Sequence, residues 1–207
     1  LVMAEGTLPA LVRIENTGTI QGGIGAWLTQ GASALVLANA GTIQGNVTTG
    51  ASADVVTGRG LIEGHLRLGA GNDRFAGRVT GDLEMGTGAD TVDARDHAVG
   101  GVIRDTGGAD LYLVDGAVTI EDSGAGRDRV RAWVDFTLSD GLEVLALQGS
   151  ALRGTGNGAA NLIWRNAGDN RLEGGAGADT LAGGIGDDTL FGGQGDDCLN
   201  RFNCDFH

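Results

Sequence analysis

Apolar residues in this chain come in short runs bracketed by glycine turns. Val130, Ala132, Val134, Phe136 and Leu138 alternate with Arg129, Arg131, Trp133, Asp135 and Thr137. A period of two predicts a half-buried strand rather than a helix. Upstream, a glycine turn ends in an aspartate and an apolar strand follows. GASAD closes at Asp54 before Val55-Val56, GAGND at Asp73 before Phe75, and GTGAD at Asp90 before Val92. TGGAD closes at Asp110 before Leu111 and Leu113, and GAGRD at Asp128 before Val130. The aspartates are 19, 17, 20 and 18 residues apart. A second strand precedes each of them, at 46–49, 65–68, 82–85, 102–103 and 118–120. Two strands and one glycine turn per interval predict a right-handed parallel coil with its carboxylates on one edge.

The last third repeats more tightly. Residues 174–182 read GGAGADTLA, 183–191 GGIGDDTLF, and 192–200 GGQGDDCLN, a period of nine. Asp179, Asp188 and Asp197 hold the sixth place, and Leu181, Leu190 and Leu199 the eighth. Counting back by nine gives Asn170 and Asn161, each followed two residues later by Leu172 or Ile163. Glycines at places one, two and four allow positive φ and a tight turn. Such a turn aims bare carbonyls at a common point, where a hard cation collects them, and the aspartate adds a carboxylate. One unit makes half a coil, so same-edge partners stand 18 apart. Asp179 then pairs with Asp197, Asn170 with Asp188, and Asn161 with Asp179. Only the first pair has two carboxylates.

These three units resemble the RTX nonapeptide calcium-binding repeat of hemolysin-type proteins. Residues 128–172 resemble the segment leading into the repeats of serralysin-type and other RTX exoproteins. The resemblance implies an all-β, right-handed parallel β-helix or β-roll and Ca2+ as cofactor. The implied metal ligands are Asn170, Gly174, Gly175, Gly177, Asp179, Gly183, Gly184, Gly186, Asp188, Gly192, Gly193, Gly195 and Asp197. Asp73, Asp90, Asp110 and Asp128 are further candidate ligands, although Gly-Asp turns also form without metal. The expected divisions are a lead-in at 1–10, an irregular solenoid at 11–133, a connecting strand and seam at 134–160, a calcium-binding roll at 161–200, and a tail at 201–207. In the first 50 residues, the segment at 16–22 recurs at 39–45 without the acid and resembles rungs of large bacterial surface proteins.

Composition narrows the function. Forty glycines in 207 residues exclude a helical bundle, because each interior glycine costs about 1 kcal/mol relative to alanine. Twenty-seven acidic against 14 basic residues give a net charge of −13, which disfavours nucleic acid. No run of 18 apolar residues predicts a membrane-spanning helix. The first residues lack the basic start and apolar core of a secretory signal, so export is expected by a route that does not need one. The ending, residues 200–207, does not resemble the apolar end of an RTX export signal.

Motifs of catalysis are absent: there is no HExxH and no GxSxG. His65, His97 and His207 stand alone. Asp93 and Asp96 form a carboxylate pair of the kind glycosidases use, among many acidic turns. Trp27, Trp133 and Trp164 read as core or cap residues. Cys198 should face outward, and neither it nor Cys204 is expected to carry structure. The expectation is a non-catalytic calcium-binding module of a secreted or surface-exposed bacterial protein. Calcium is its partner, and an extracellular polysaccharide or host surface is another candidate. The alternatives are a calcium-dependent polysaccharide lyase or epimerase fragment, with Arg95, Arg104 or Arg127 as base, and an adhesin segment.

Overall fold

The computed structural model describes residues 11–25, 33–96 and 99–200. Trp27, His97, Cys204 and His207 lie outside these residues, as do the expected lead-in at 1–10 and tail at 201–207. The described residues form strands, turns and bends. No helix among them is long and apolar enough to cross a membrane.

The chain winds as a parallel β-solenoid. One sheet runs its whole described length through Leu11–Asn16, Ala34–Asn39, Val55–Glu63, Arg74–Val79, Thr91–Asp93, Leu111–Val114, Arg129–Ala132, Val144–Leu147, Leu162–Trp164, Thr180–Ala182 and Cys198–Asn200, in that order. Every neighbouring pair is parallel. A second face is built in two parts. Val47–Thr48, Leu66–Ala70, Leu83–Thr87, Val102–Gly107 and Thr119–Asp122 make the first part. Phe136–Thr137, Arg153–Thr155, Arg171–Ala176 and Thr189–Gln194 make the second.

Register along the long sheet is set by the residue two places after each turn acid. Leu37, Val56, Phe75, Val92, Tyr112, Val130, Leu145, Ile163, Leu181 and Leu199 stand directly above one another. All but Leu199 are buried, and together they form the spine of the core. Each contributes about 1.5–3 kcal/mol by leaving water. The column corrects one detail of the pattern. After Asp110 the inward residues are Tyr112 and Val114, while Leu111 and Leu113 face outward. A shift of one residue moves every side chain to the other face, and the position of Asp110 fixes which face wins. The alternation over 130–138 also breaks. The strand ends at Ala132, the chain bends through 133–135, and pairing resumes at Phe136.

The core thins toward the C-terminus. Leu172 and Leu181 are buried, but Phe191 is 47% and Leu199 48% exposed. Trp133 and Trp164 are half-buried rather than core: the guanidinium groups of Arg95 and Arg129 lie over their rings at 4.6 and 5.4 Å. Cys198 is exposed, as its place in the repeat predicts.

Candidate metal centres

From Val55–Glu63 onward, the residue just before each strand of the long sheet is an acid or its amide, and the aspartates of the middle coils turn inward. Asp54, Asp73, Asp90, Asp110 and Asp128 are 0–2% exposed. Their geometry repeats. The N–H of Leu35 donates to Asp54 Oδ1 at 2.6 Å, Asp54 N–H to Asp73 at 2.7 Å, and Asp73 N–H to Asp90 at 2.7 Å. Asp90 N–H then donates to Asp110 at 2.6 Å, Asp110 N–H to Asp128 at 2.7 Å, and Asp128 N–H to Glu143 Oε2 at 2.8 Å. Each carboxylate therefore caps the amide one coil before it. Glu143 takes the place where the coil shortens to 15 residues, and its longer side chain makes up the reach.

One oxygen of each group is thereby satisfied, and the other is not. The Oδ2 atoms of Asp54, Asp73, Asp90 and Asp110 are buried without a hydrogen-bond partner. Such an oxygen is costly unless it meets a cation or a proton. Burial accordingly raises these carboxyl groups, against the pull of their backbone N–H partners. Asp73 is pushed up to about 7, Asp90 to about 6, and Asp128 to about 7, with neighbouring carboxylates adding to the rise.

The C-terminal coils use the same device on both edges. Asn161 N–H donates to Asp179 Oδ1 at 2.8 Å, Asn170 N–H to Asp188 Oδ1 at 2.9 Å, and Asp179 N–H to Asp197 Oδ1 at 3.0 Å. The structure thus brings together all three pairs expected at a spacing of 18. Asp179 Oδ2, Asp188 Oδ2 and Asn170 Oδ1 are buried and unpartnered. Burial raises the Asp179 carboxyl group, and Asp197 adds to it.

The glycines divide their work differently from the pattern's suggestion. Places two and four take positive φ: Gly175 and Gly177 at 113° and 110°, Gly184 and Gly186 at 71° and 121°, Gly193 and Gly195 at 109° and 133°. Gly174, Gly183 and Gly192, at place one, do not. Their requirement is space. A Cβ built on any of them would collide with the carboxylate of Asp179, Asp188 or Asp197 in the same turn. The missing side chain leaves a hollow beside the unpartnered oxygen, which fits a small hard cation held by oxygen atoms.

Residues 164–197 match the family described as the RTX calcium-binding nonapeptide repeat, in four copies. The chain carries RTX repeats. No curated protein and no solved structure matches it. The RTX match covers the coils whose glycine hollows adjoin unpartnered oxygens, and RTX repeats are calcium-binding repeats. One coil departs from the pattern. Arg165 stands at place one of its unit, and its guanidinium lies where a side chain on Gly184 would go. This edge, between Asn170 and Asp188, carries a fixed positive charge that the opposite edge lacks.

Of the residues considered for catalysis, Asp93, Arg95 and Asp96 line one open cavity with Asp115 and Trp133. Arg95 is paired with Asp93 at 2.9 Å and stacks on Trp133. Arg104 bridges Asp82 and Glu121. Arg127 borders a surface groove with Glu143 and Asn161. His65 Nδ1 accepts the N–H of Asp82 at 3.0 Å.

Two buried acids escape the sequence pattern: Asp105 and Asp122. They lie on the second face, in Val102–Gly107 and Thr119–Asp122, and point inward beside the turn acids. Neither belongs to a glycine motif. Continuing the alternation two places beyond Ile103 and Ile120 puts both inside.

Proposed function

We propose that this chain is a non-catalytic, calcium-binding RTX β-roll module of an exported bacterial protein, whose C-terminal coils fold when calcium becomes available outside the cell. The observation that carries this reading is the set of buried, unpartnered oxygens on Asp179, Asp188 and Asn170 beside the hollows at Gly174 and Gly183. The ligands would be Asp179 with Asp197 on one edge and Asn170 with Asp188 on the other, completed by carbonyls of the glycine turns at 174–177, 183–186 and 192–195.

The energetics support coupling of binding to folding. Residues 172–200 hold Glu173 and five aspartates, with no basic residue. Arg171 offsets Glu173 at 2.7 Å and Arg165 lies against the turn at Gly184, but the ion pairs among the described residues include none of the five aspartates. The hydrophobic return is one inward leucine per nine residues, about 1.5–3 kcal/mol when fully buried. Ordering the backbone costs about 1–2 kcal/mol per residue. A cation that binds only the folded coils makes its binding free energy a folding free energy.

Amide hydrogen exchange in calcium and in chelator tests this. Residues 174–199 should be protected in calcium and exchange freely in chelator. Equal protection in both conditions would overturn the reading.

A further inference from the structure

The middle coils hold a second set of acids that the RTX match does not reach. Asp105 and Asp122 face each other across neighbouring strands of the second face. They are 1% and 7% exposed. In the two preceding coils the inward residues two places beyond the first apolar residue are Leu68 and Met85, both fully buried, although a bulge sets the backbone of Asp105 opposite Gly86. Over two coils, therefore, carboxylates replace large apolar side chains in the core.

Asp105 Oδ1 accepts the N–H groups of Thr106 at 2.6 Å and Gly107 at 3.2 Å. Its Oδ2 is buried and has no partner, and the same holds for Asp90 Oδ2 and Asp110 Oδ2. Asp122 Oδ1 accepts Gly124 N–H at 3.1 Å, and its Oδ2 accepts the hydroxyl of Tyr112 at 2.9 Å. Every donor to these acids is neutral. The ion pairs among the described residues involve none of them.

The carboxylate oxygens fall into two triads. Those of Asp90, Asp105 and Asp110 lie within 4.8 Å of one another, and so do those of Asp110, Asp122 and Asp128. Two oxygens bound to one calcium ion, each about 2.4 Å from it, can be no more than about 4.8 Å apart. Both triads meet that limit, and Asp110 belongs to both. The donors are all hard oxygens, which suit calcium rather than a thiolate- or imidazole-seeking metal.

We infer that these five aspartates form a buried pair of calcium sites, one per triad, bridged by Asp110. The two ions supply four positive charges to five carboxylates. Asp105 and Asp122 are the residues that close the sites, because the turn acids alone place only one carboxylate per coil. The centre is separate from the RTX coils and does not depend on their reading.

The test counts calcium bound to the full chain by equilibrium dialysis and mass spectrometry. An Asp179→Ala/Asp188→Ala/Asp197→Ala background silences the RTX sites. That background should retain two ions per chain. Adding Asp105→Met, which supplies an inward apolar side chain like that of Met85 one coil earlier, should remove one ion. Adding Asp122→Leu should remove the other. Circular dichroism checks that each variant keeps its β-structure; where one does not, Asp105→Asn or Asp122→Asn repeats the measurement with shape preserved. Fewer than two ions in the background, or a count unmoved by Asp105 and Asp122 substitution, would overturn the inference. Loss of calcium-dependent protection at 174–199 in the same background, with the two ions retained, separates this centre from the RTX sites.

Discussion

The backbone N–H of Asp54 donates to Oδ1 of Asp73, 19 residues on, at 2.7 Å. The bond joins consecutive coils through a side chain, outside the ladder of the sheet. Five such bonds in succession turn the aspartate row into a structural element, whatever the other oxygen binds.

Removing one of these acids should therefore destabilise the solenoid even in chelator. Asp73→Ala strands a buried N–H and should cost about 1–3 kcal/mol. Asp73→Asn keeps the Oδ1 acceptor and should cost less. Urea unfolding of both variants in chelator measures the difference. Equal losses would show that the bond contributes nothing.

Acid should stabilise the metal-free middle coils. Burial, as the leading cause, raises Asp73 to about 7, Asp90 to about 6, Asp105 to about 8 and Asp128 to about 7. The ordinary carboxylate value is about 4. Between these limits the folded chain holds more protons than the unfolded one, so stability falls as pH rises. The contribution is whole below about pH 4, declines as pH rises, and is gone once pH has passed the folded values of about 6 to 8. Melting temperature in chelator should drop over that range, and saturating calcium should flatten the curve. A metal-free melting temperature that rises from pH 5 to 8 would contradict this.

The two RTX edges should differ in calcium affinity. Asp179→Ala and Asp197→Ala break the one pair with two carboxylates, whereas Asp188 pairs with Asn170. The midpoint of calcium-induced folding should shift furthest for Asp179 and Asp197 and least for Asp188. The guanidinium of Arg165 beside Gly184 adds a repulsive charge on the weaker edge. Arg165→Gly should tighten calcium binding there, an effect readable by titration calorimetry.

Glycine substitutions should separate hollow from hinge. Gly183→Ala puts a methyl group against Asp188 alone where φ itself is tolerable, so more calcium should be needed for folding, with little loss of melting temperature once calcium saturates. Gly193→Ala places alanine at φ 109°, which L residues rarely adopt, so it should lower the melting temperature of the coil even in saturating calcium. Paired calcium titrations and melting curves would distinguish the two outcomes.

Much of this was legible in the residues. The glycine–aspartate spacing predicts both the parallel coil and the row Asp54, Asp73, Asp90, Asp110 and Asp128, because turn chemistry and period are local properties. The pairs at a spacing of 18 follow from the nonapeptide alone. Glu143 was not legible: it replaces a turn acid in a coil without the glycine motif, and only the register of the sheet reveals it. Asp105 and Asp122 were hidden for a different reason. Their strands read as apolar at Val102-Ile103 and Val118–Ile120, and a charged residue two places later looks like the end of a strand. Burial of those carboxylates is a tertiary effect, created by the turn acids packed beside them.

The unbroken column from Leu37 to Leu199 gives the chain a direction of assembly. Each coil contacts only its neighbours, so each new coil adds to an edge that already exists. The middle coils, with large buried residues such as Phe75 and Tyr112, lead to Val144–Leu147, on which Leu162–Trp164 and then the RTX coils stack. On the calcium-coupled folding proposed above, those coils would elongate a seed instead of starting one, with the metal as a ratchet that locks successive coils onto it.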